Sequence, residues 1–256
     1  MSICFDPFQS IESLYLERRR LCSTGEDNFD EQLAIAIKRL GNAYRMGKQP
    51  TIDSAFDRLA YVIQYAPIGM AAIRKLTLSL SEKHLPNSFS ILRDEPLRIV
   101  SIGAGPGTDL FGFLMALSIP PKGISFVRMD IGKQWKTYYE TIRNDFQRQV
   151  NEMSVLISTM EDRFIGIDLD WNYLDEAPAR DEISTADVIV LNRVLSIFQD
   201  SSIQVNQTIR AIASTAAEDS LLFVLDVSLP NPQFQNTIAL TEGICRQEKS
   251  NSKWIA

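Results

Sequence analysis

The fourteen residues from Leu97 to Leu110, LRIVSIGAGPGTDL, constrain the fold of this chain more than any other segment. An apolar strand, Arg98 to Ile102, runs into a turn with glycines at 103, 105 and 107. The run Leu110 to Leu117 then predicts a helix that Thr108 or Asp109 can cap. A strand, a glycine-rich turn and a helix in this order make a ligand-binding unit of parallel α/β proteins. Side chains at Gly103, Gly105 or Gly107 would block either the positive φ angles of the turn or the approach of a ligand to the backbone.

The chain on either side of this turn falls into two patterns. Before it, apolar residues recur at helical spacing: Leu33, Ile37, Leu40 and Tyr44 predict a helix over 30–46 that ends at Gly47. Phe56, Leu59, Ala60 and Ile63 predict a second helix that starts at Asp53 and stops before Pro67, and a third follows from Ile68 to Glu82. Tyr61 and Tyr65 fall one turn apart on the second helix, where they serve either core packing or a lid over a ligand. After the polar linker 86–95, strands and helices alternate. The strand candidates are 98–102, 124–129, 163–169, 188–191 and 221–225, and the clearest helix between them is 134–153. Five strands with apolar, β-branched sequences predict an α/β fold with a parallel sheet covered by helices on both faces, its ligand at the C-terminal edge of the strands. The expected organisation is a helical region over residues 1–95, acting as lid or substrate-recognition element, and a ligand-binding α/β domain over 96–256.

Composition narrows the function. With 45% hydrophobic and 23% charged residues in 256, the chain can bury a large core. No apolar run reaches the roughly 18 residues of a membrane helix, and the N-terminus lacks the basic-then-apolar order of a signal peptide. The expected location is cytoplasmic, with mitochondrial import the alternative. Cys4, Cys22 and Cys245 lie far apart, and His84 is the only histidine, so neither a metal site nor histidine catalysis is expected. Residues 1–95 hold 12 basic and 12 acidic side chains and residues 96–256 hold 14 and 20, which places the whole net charge of −6 in the second part. Such a balance argues against strong nonspecific binding to DNA. The basic runs Arg18-Arg19-Arg20 and Lys38-Arg39 read as solvated helix faces.

The glycine spacing selects the ligand. A dinucleotide fingerprint has its third glycine three residues after the second, which here is Thr108, and Asp109 brings a carboxylate where a pyrophosphate would want none. Later strand ends supply further polar groups. Asp130 closes the second strand and can accept both hydroxyls of a ribose, with Ile131 beside it for an adenine face. In the third, Asp168 can accept from an adenine amino group while Leu169 offers its backbone amide; Asp170 is two residues on, on the same side. The fourth delivers Asn192 and Arg193, substrate-side candidates that can orient a nucleophile or pair an acidic group.

Taken together, residues 97–228 resemble the class I, Rossmann-like methyltransferases that use S-adenosylmethionine. The resemblance implies that Gly103, Ala104, Gly105 and Gly107 admit the methionine portion of S-adenosyl-L-methionine, with Asp109, Asp130, Ile131, Asp168, Leu169 and Asn192 completing the cofactor site. It also implies that the enzyme mainly aligns and desolvates a nucleophile for attack on an already activated methyl group. Two features depart from the pattern. The family places an acid two residues before the first glycine to hold the cofactor's amino group, and this chain has Ser101; Asp109 or a residue of the helical lid can compensate. Only 30 residues follow Asp226, too few for the usual last strands, and the tail from Asn231 reads as a helix with a frayed end. A degenerate, noncatalytic member acting as a scaffold for a protein or RNA partner is therefore the alternative. The methyl acceptor can be a small molecule, an RNA or a protein. No amino-methyltransferase motif stands after the fourth strand, where the chain reads Asn192-Arg193-Val194-Leu195.

Overall fold

A computed structural model describes residues 5–21, 28–46, 50–81, 95–117, 120–167, 177–192, 194, 202–217 and 220–225. Three helices come first: α1 (Pro7–Leu21), α2 (Phe29–Arg45) and α3 (Ala55–Ser81). There follow β1 (Leu97–Ile102), α4 (Thr108–Leu114), β2 (Ile124–Asp130), α5 (Lys136–Gln149), α6 (Asn151–Thr159), β3 (Glu161–Gly166), α7 (Ala177–Ser184), β4 (Val188–Asn192), α8 (Ser202–Thr215) and β5 (Leu221–Leu225). All strands pair in parallel, in the order β3-β2-β1-β4-β5. The chain leaves β1 towards β2 and β3 on one side and returns to β4 and β5 on the other. The result is a Rossmann-like α/β sheet with its switch point between β1 and β4.

Alternation along the strands gives the sheet two apolar faces. Ile99, Phe126, Val188, Val190 and Phe223 point to one, where Leu14, Leu40, Leu59, Met70, Phe111, Tyr139, Phe146 and Ile157 of α1 to α6 meet them in a single core. Val100, Ile102, Val127, Met129, Ile189, Leu191 and Leu222 point to the other, under Ala179 and Ile183 of α7 and Ile209 and Ile212 of α8. Each large side chain buried in this way stabilises the fold by about 1.5–3 kcal/mol. The N-terminal helices thus share the core of the sheet's first face. Phe5 packs tilted against Phe146 at 4.8 Å between ring centroids, and the Tyr138 hydroxyl donates to the Ala55 carbonyl at 2.9 Å.

Four local expectations are corrected. The helices expected on either side of Pro67 form one, α3, which runs through the proline. Proline removes one backbone bond and strains the preceding turn, but Ala66, Met70 and Ile73 are all buried, so packing overrides the local preference. Its start is Ala55 rather than Asp53, because Ser54 and Asp57 form a reciprocal cap: the Ser54 N–H donates to Asp57 Oδ2 at 3.0 Å and the Asp57 N–H to Ser54 Oγ at 3.1 Å. The helix expected over 134–153 breaks at Val150 (φ −117°, ψ 80°) into α5 and α6, which lets Phe146, Val150 and Met153 all reach the core. The third strand starts at Glu161 and ends at Gly166, where pairing with β2 stops opposite Asp130. Gly47, His84, the three cysteines and the tail from Asn231, with any further strands, lie outside the described residues.

Candidate functional site

The period of two along each strand brings the polar residues of the site to one face. Ser101 shares the side of Ile99, Arg128 and Asp130 the side of Phe126, and Asn192 the side of Val190. All four therefore look towards the helices of the first face, and Ser101, Asp130 and Asn192 stand at or near the C-terminal ends of β1, β2 and β4.

The glycine turn hangs between β1 and β2. Gly103 and Ala104 both donate their N–H to the Met129 carbonyl, at 2.8 and 3.1 Å, and the Gly107 N–H closes the turn on Ala104 O at 2.8 Å. Gly103, Gly105 and Gly107 take φ angles of 67°, 50° and 69°, a region that residues with a side chain enter only with strain. They differ in surroundings. Among the described residues, a Cβ at Gly105 would meet only Trp135, at 3.9 Å, whereas one at Gly107 would lie 2.5 Å from the buried Tyr139 ring. Gly107 is therefore required by packing, and the open side of the turn is at Gly105. Beneath Gly107, the Arg128 guanidinium lies 3.8 Å from the Tyr139 ring centre and donates to both Asp162 carboxylate oxygens at 3.0 Å, which fixes the platform on which the turn rests.

Asp130 clasps the open side. Its carboxylate accepts the Gly105 N–H at 2.7 Å and the Gly132 N–H at 3.2 Å. Burial pushes its pKa above the ordinary value, and the donated backbone N–H groups and Arg128 oppose that rise. Two oxygens carry about four lone-pair sites, so acceptor capacity is left for a ligand. Ile131, next in the chain, is 68% exposed, an apolar side chain held out at the sheet edge beside a buried acid.

Across the turn, on the β4 side, Asp109 is 1% exposed and Ser101 0%. The Ser101 hydroxyl donates to Asp109 Oδ2 at 2.5 Å, and the Asn192 side-chain amide donates to Asp109 Oδ1 at 2.6 Å. This arrangement corrects the expected helix cap: Gly107 occupies the cap position of α4 without a side-chain cap bond, and the Asp109 carboxylate turns instead to Ser101 and Asn192. Helix α3 closes over the cluster. A Cβ at Gly69 would lie 3.2 Å from Asn192 Nδ2 and 3.6 Å from Thr108 Oγ1, and one at Gly112 of α4 would lie 2.6 Å from the Met70 carbonyl oxygen. Two glycines thus allow α3 to touch α4 and β4.

The structure gathers Gly103, Ala104, Gly105, Gly107, Asp109, Asp130, Ile131 and Asn192 at one edge of the sheet. Asp168, Leu169, Asp170 and Arg193 lie outside the described residues. Residues not foreseen from the sequence are Gly69, Trp135, Tyr139 and Arg128. A glycine two residues after Pro67 in an apolar helical run, and a tryptophan in the polar stretch 132–136, were the available signals. Trp135 continues a partly buried aromatic series, Tyr44–Tyr65–Tyr61–Trp135, with successive centroid separations of 4.8, 5.4 and 5.5 Å, from α2 and α3 to the glycine turn. Among the described residues no helix is long and apolar enough to cross a membrane, and no group of three or more His, Cys, Asp or Glu side chains is placed to hold a metal ion.

No family model matches the chain, and no curated protein matches it. Among solved structures, the chain is similar to the CurJ carbon methyltransferase, with 15% identity and a TM-score of 0.42 over 88% of this chain and 55% of that one. It is similar also to the CMeT domain of the citrinin polyketide synthase, with 17% identity and a TM-score of 0.45 over 83% and 52%. A third similar structure is the pyocyanin biosynthetic protein PhzM, with 18% identity and a TM-score of 0.37 over 95% and 58%. The chain thus spans little more than half the length of the solved chains it is similar to.

Proposed function

We propose that the chain is a methyltransferase that uses S-adenosyl-L-methionine. The observation that carries this reading is the glycine turn at the switch point of the sheet, left-handed at all three glycines, clasped through the Gly105 N–H by the acid that ends β2 and flanked by the exposed Ile131. The residues present fit a nucleoside with a slender, charged extension. Asp130 retains acceptor capacity for a ribose, Ile131 offers an apolar surface to a purine, and the space above Gly105 admits a chain that a side chain would obstruct. Asp168 and Leu169 keep the adenine-binding roles assigned to them from the sequence, and Arg193 that of a substrate-side residue.

When bound, S-adenosylmethionine supplies a methyl group already activated on a sulfonium. The work of the chain is to hold the donor rigidly, to exclude water and to align the acceptor, for which orientation alone contributes several kcal/mol of the barrier. The aromatic series from Tyr44 to Trp135 forms the wall along which an acceptor approaches, so that α2 and α3 serve recognition.

Calorimetric titration with S-adenosylhomocysteine tests the reading. Binding to the intact chain, lost in Asp130→Ala, is expected. A folded protein that gives no heat with either S-adenosylmethionine or its demethylated product refutes it.

A further inference from the structure

We propose that the face of α3 carrying Tyr61 and Tyr65 binds an uncharged, flat aromatic ring, and that this ring belongs to the methyl acceptor. The proposal rests on the reading above and names the substrate class of that site. From Leu59 to Ile73 the helix has no charged side chain, although 23% of the chain is charged. Burial explains only part of this. Val62, Ala66, Met70 and Ile73 are buried, whereas Tyr61 and Tyr65 are half-buried and Ile68 is 56% exposed. The outward face of a helix in water is ordinarily charged or polar, and one left bare of charge marks a binding surface.

Its position ties this face to the glycine turn. Tyr61, Tyr65 and Gly69 recur every four residues and so lie along one side of α3. At one end Tyr61 meets Trp135, with ring centroids 5.5 Å apart, and Trp135 is the residue beside Gly105. At the other end a Cβ at Gly69 would lie 3.2 Å from Asn192 Nδ2. The stretch 61–69 therefore crosses the turn from its β2 side to its β4 side, with Tyr65 midway. Eight residues of helix rise about 12 Å, the length of a small fused-ring molecule.

Charge and ring geometry name the occupant. This face has no cation for the phosphates of a nucleic acid and no anion for a protonated amine. The charged groups at the start of α3 are engaged elsewhere, Arg39 with Asp57 and Arg58 with the Asp53 carbonyl. Tyr44, Tyr65, Tyr61 and Trp135 meet in turn at interplanar angles of 64°, 43° and 60°. A flat aromatic ligand extends such an inclined series by offset or edge-to-face contact, which a saturated ring of the same size cannot reproduce.

Equilibrium dialysis of naphthol at pH 7, with S-adenosylhomocysteine present, tests the site. The intact chain is expected to bind naphthol, and its saturated counterpart decahydronaphthol about 10-fold more weakly. Tyr65→Phe keeps the ring and should bind naphthol within about twofold of the intact chain, whereas Tyr65→Leu, which loses the flat ring, should bind it about 3- to 10-fold more weakly. Ile68→Lys changes an exposed position and puts a charge on the bare face; a loss as large is expected, and it carries the test if Tyr65→Leu fails to unfold cooperatively on heating. All three variants should keep their affinity for S-adenosylhomocysteine. Decahydronaphthol binding as tightly as naphthol, equal loss of naphthol and S-adenosylhomocysteine, or a chain that takes up S-adenosylhomocysteine and polyuridylate but no naphthol overturns the aromatic site. Failure of the intact chain to bind S-adenosylhomocysteine overturns instead the reading on which the acceptor role rests.

Discussion

Replacing Gly105 and Gly107 by alanine, one at a time, separates two demands that the turn places on its glycines. Both residues sit in the left-handed region, at φ 50° and 69°, so both variants bear the same backbone penalty of about 1–2 kcal/mol. At Gly105 the new methyl group would meet, among the described residues, only Trp135 at 3.9 Å, an ordinary contact. At Gly107 it would lie 2.5 Å from Tyr139 Cδ2 and 3.4 Å from the Arg128 side chain. The Tyr139 ring has no room to retreat, for it is fully buried between Phe111 and Phe126, with centroids 6.0 and 6.2 Å away, and Arg128 covers its face. Overpacking of this kind costs about 1–3 kcal/mol more. Gly107→Ala should therefore lose roughly 2–5 kcal/mol and Gly105→Ala roughly 1–2 kcal/mol. In thermal unfolding, each kcal/mol corresponds to about 2–4 °C for a chain of this size. Urea denaturation with an unchanged slope would report the same difference as a shift in midpoint. Affinity for S-adenosylhomocysteine should follow the opposite order per unit of stability lost, with Gly105→Ala the more damaging. Equal destabilisation by the two substitutions would refute the assignment of Gly107 to packing against Tyr139.

Two further predictions concern α3. Burial tends to raise the pKa of Asp57, but the Ser54 hydroxyl, the Arg39 guanidinium and the Ser54 N–H together hold it below the ordinary value. A lowered folded-state value stabilises the protein above the unfolded pKa and is lost as the pH falls through the folded one, so Asp57→Ala should cost about 1–2 kcal/mol at pH 7. Urea midpoints of the two proteins should converge below pH ~4, and a constant gap across that range would count against the cap. Gly112→Ala would gain about 1 kcal/mol of helix propensity, yet its methyl group would stand 2.6 Å from the Met70 carbonyl oxygen. A net loss of about 1–2 kcal/mol is expected in denaturation, together with weaker ligand binding, because α3 carries Gly69 away from Asn192.

The parts of the fold that follow from short-range pattern were legible in the sequence. The five strands needed only apolar, β-branched runs between polar breaks, and the turn needed only its glycines, for φ is a property of the residue itself. Pro67 misled because the rule that ends a helix before proline is local, while α3 is held by Ala66, Met70 and Ile73 against its neighbours. Val150 misled in the opposite sense: nothing in its side chain breaks a helix, yet its backbone leaves the helical region between α5 and α6, and Phe146, Val150 and Met153 are all buried in the core. The cap assigned to Asp109 failed for a related reason. Its carboxylate turns to Ser101 eight residues before it and to Asn192 eighty-three after it, and no periodicity in the sequence links the three.

What does link them is parity. Residues 99 and 101, 126 and 130, and 190 and 192 lie two or four apart, so the same alternation that sends Ile99, Phe126 and Val190 into the core under α1 to α6 brings Ser101, Asp130 and Asn192 to that face at the open end of the sheet. The strands were visible in the sequence, and so were their polar ends; the shared face of those ends follows from their parity with the buried residues. The first helix after the turn brings Asp109 to the same side of β1, where the Ser101 hydroxyl donates to it.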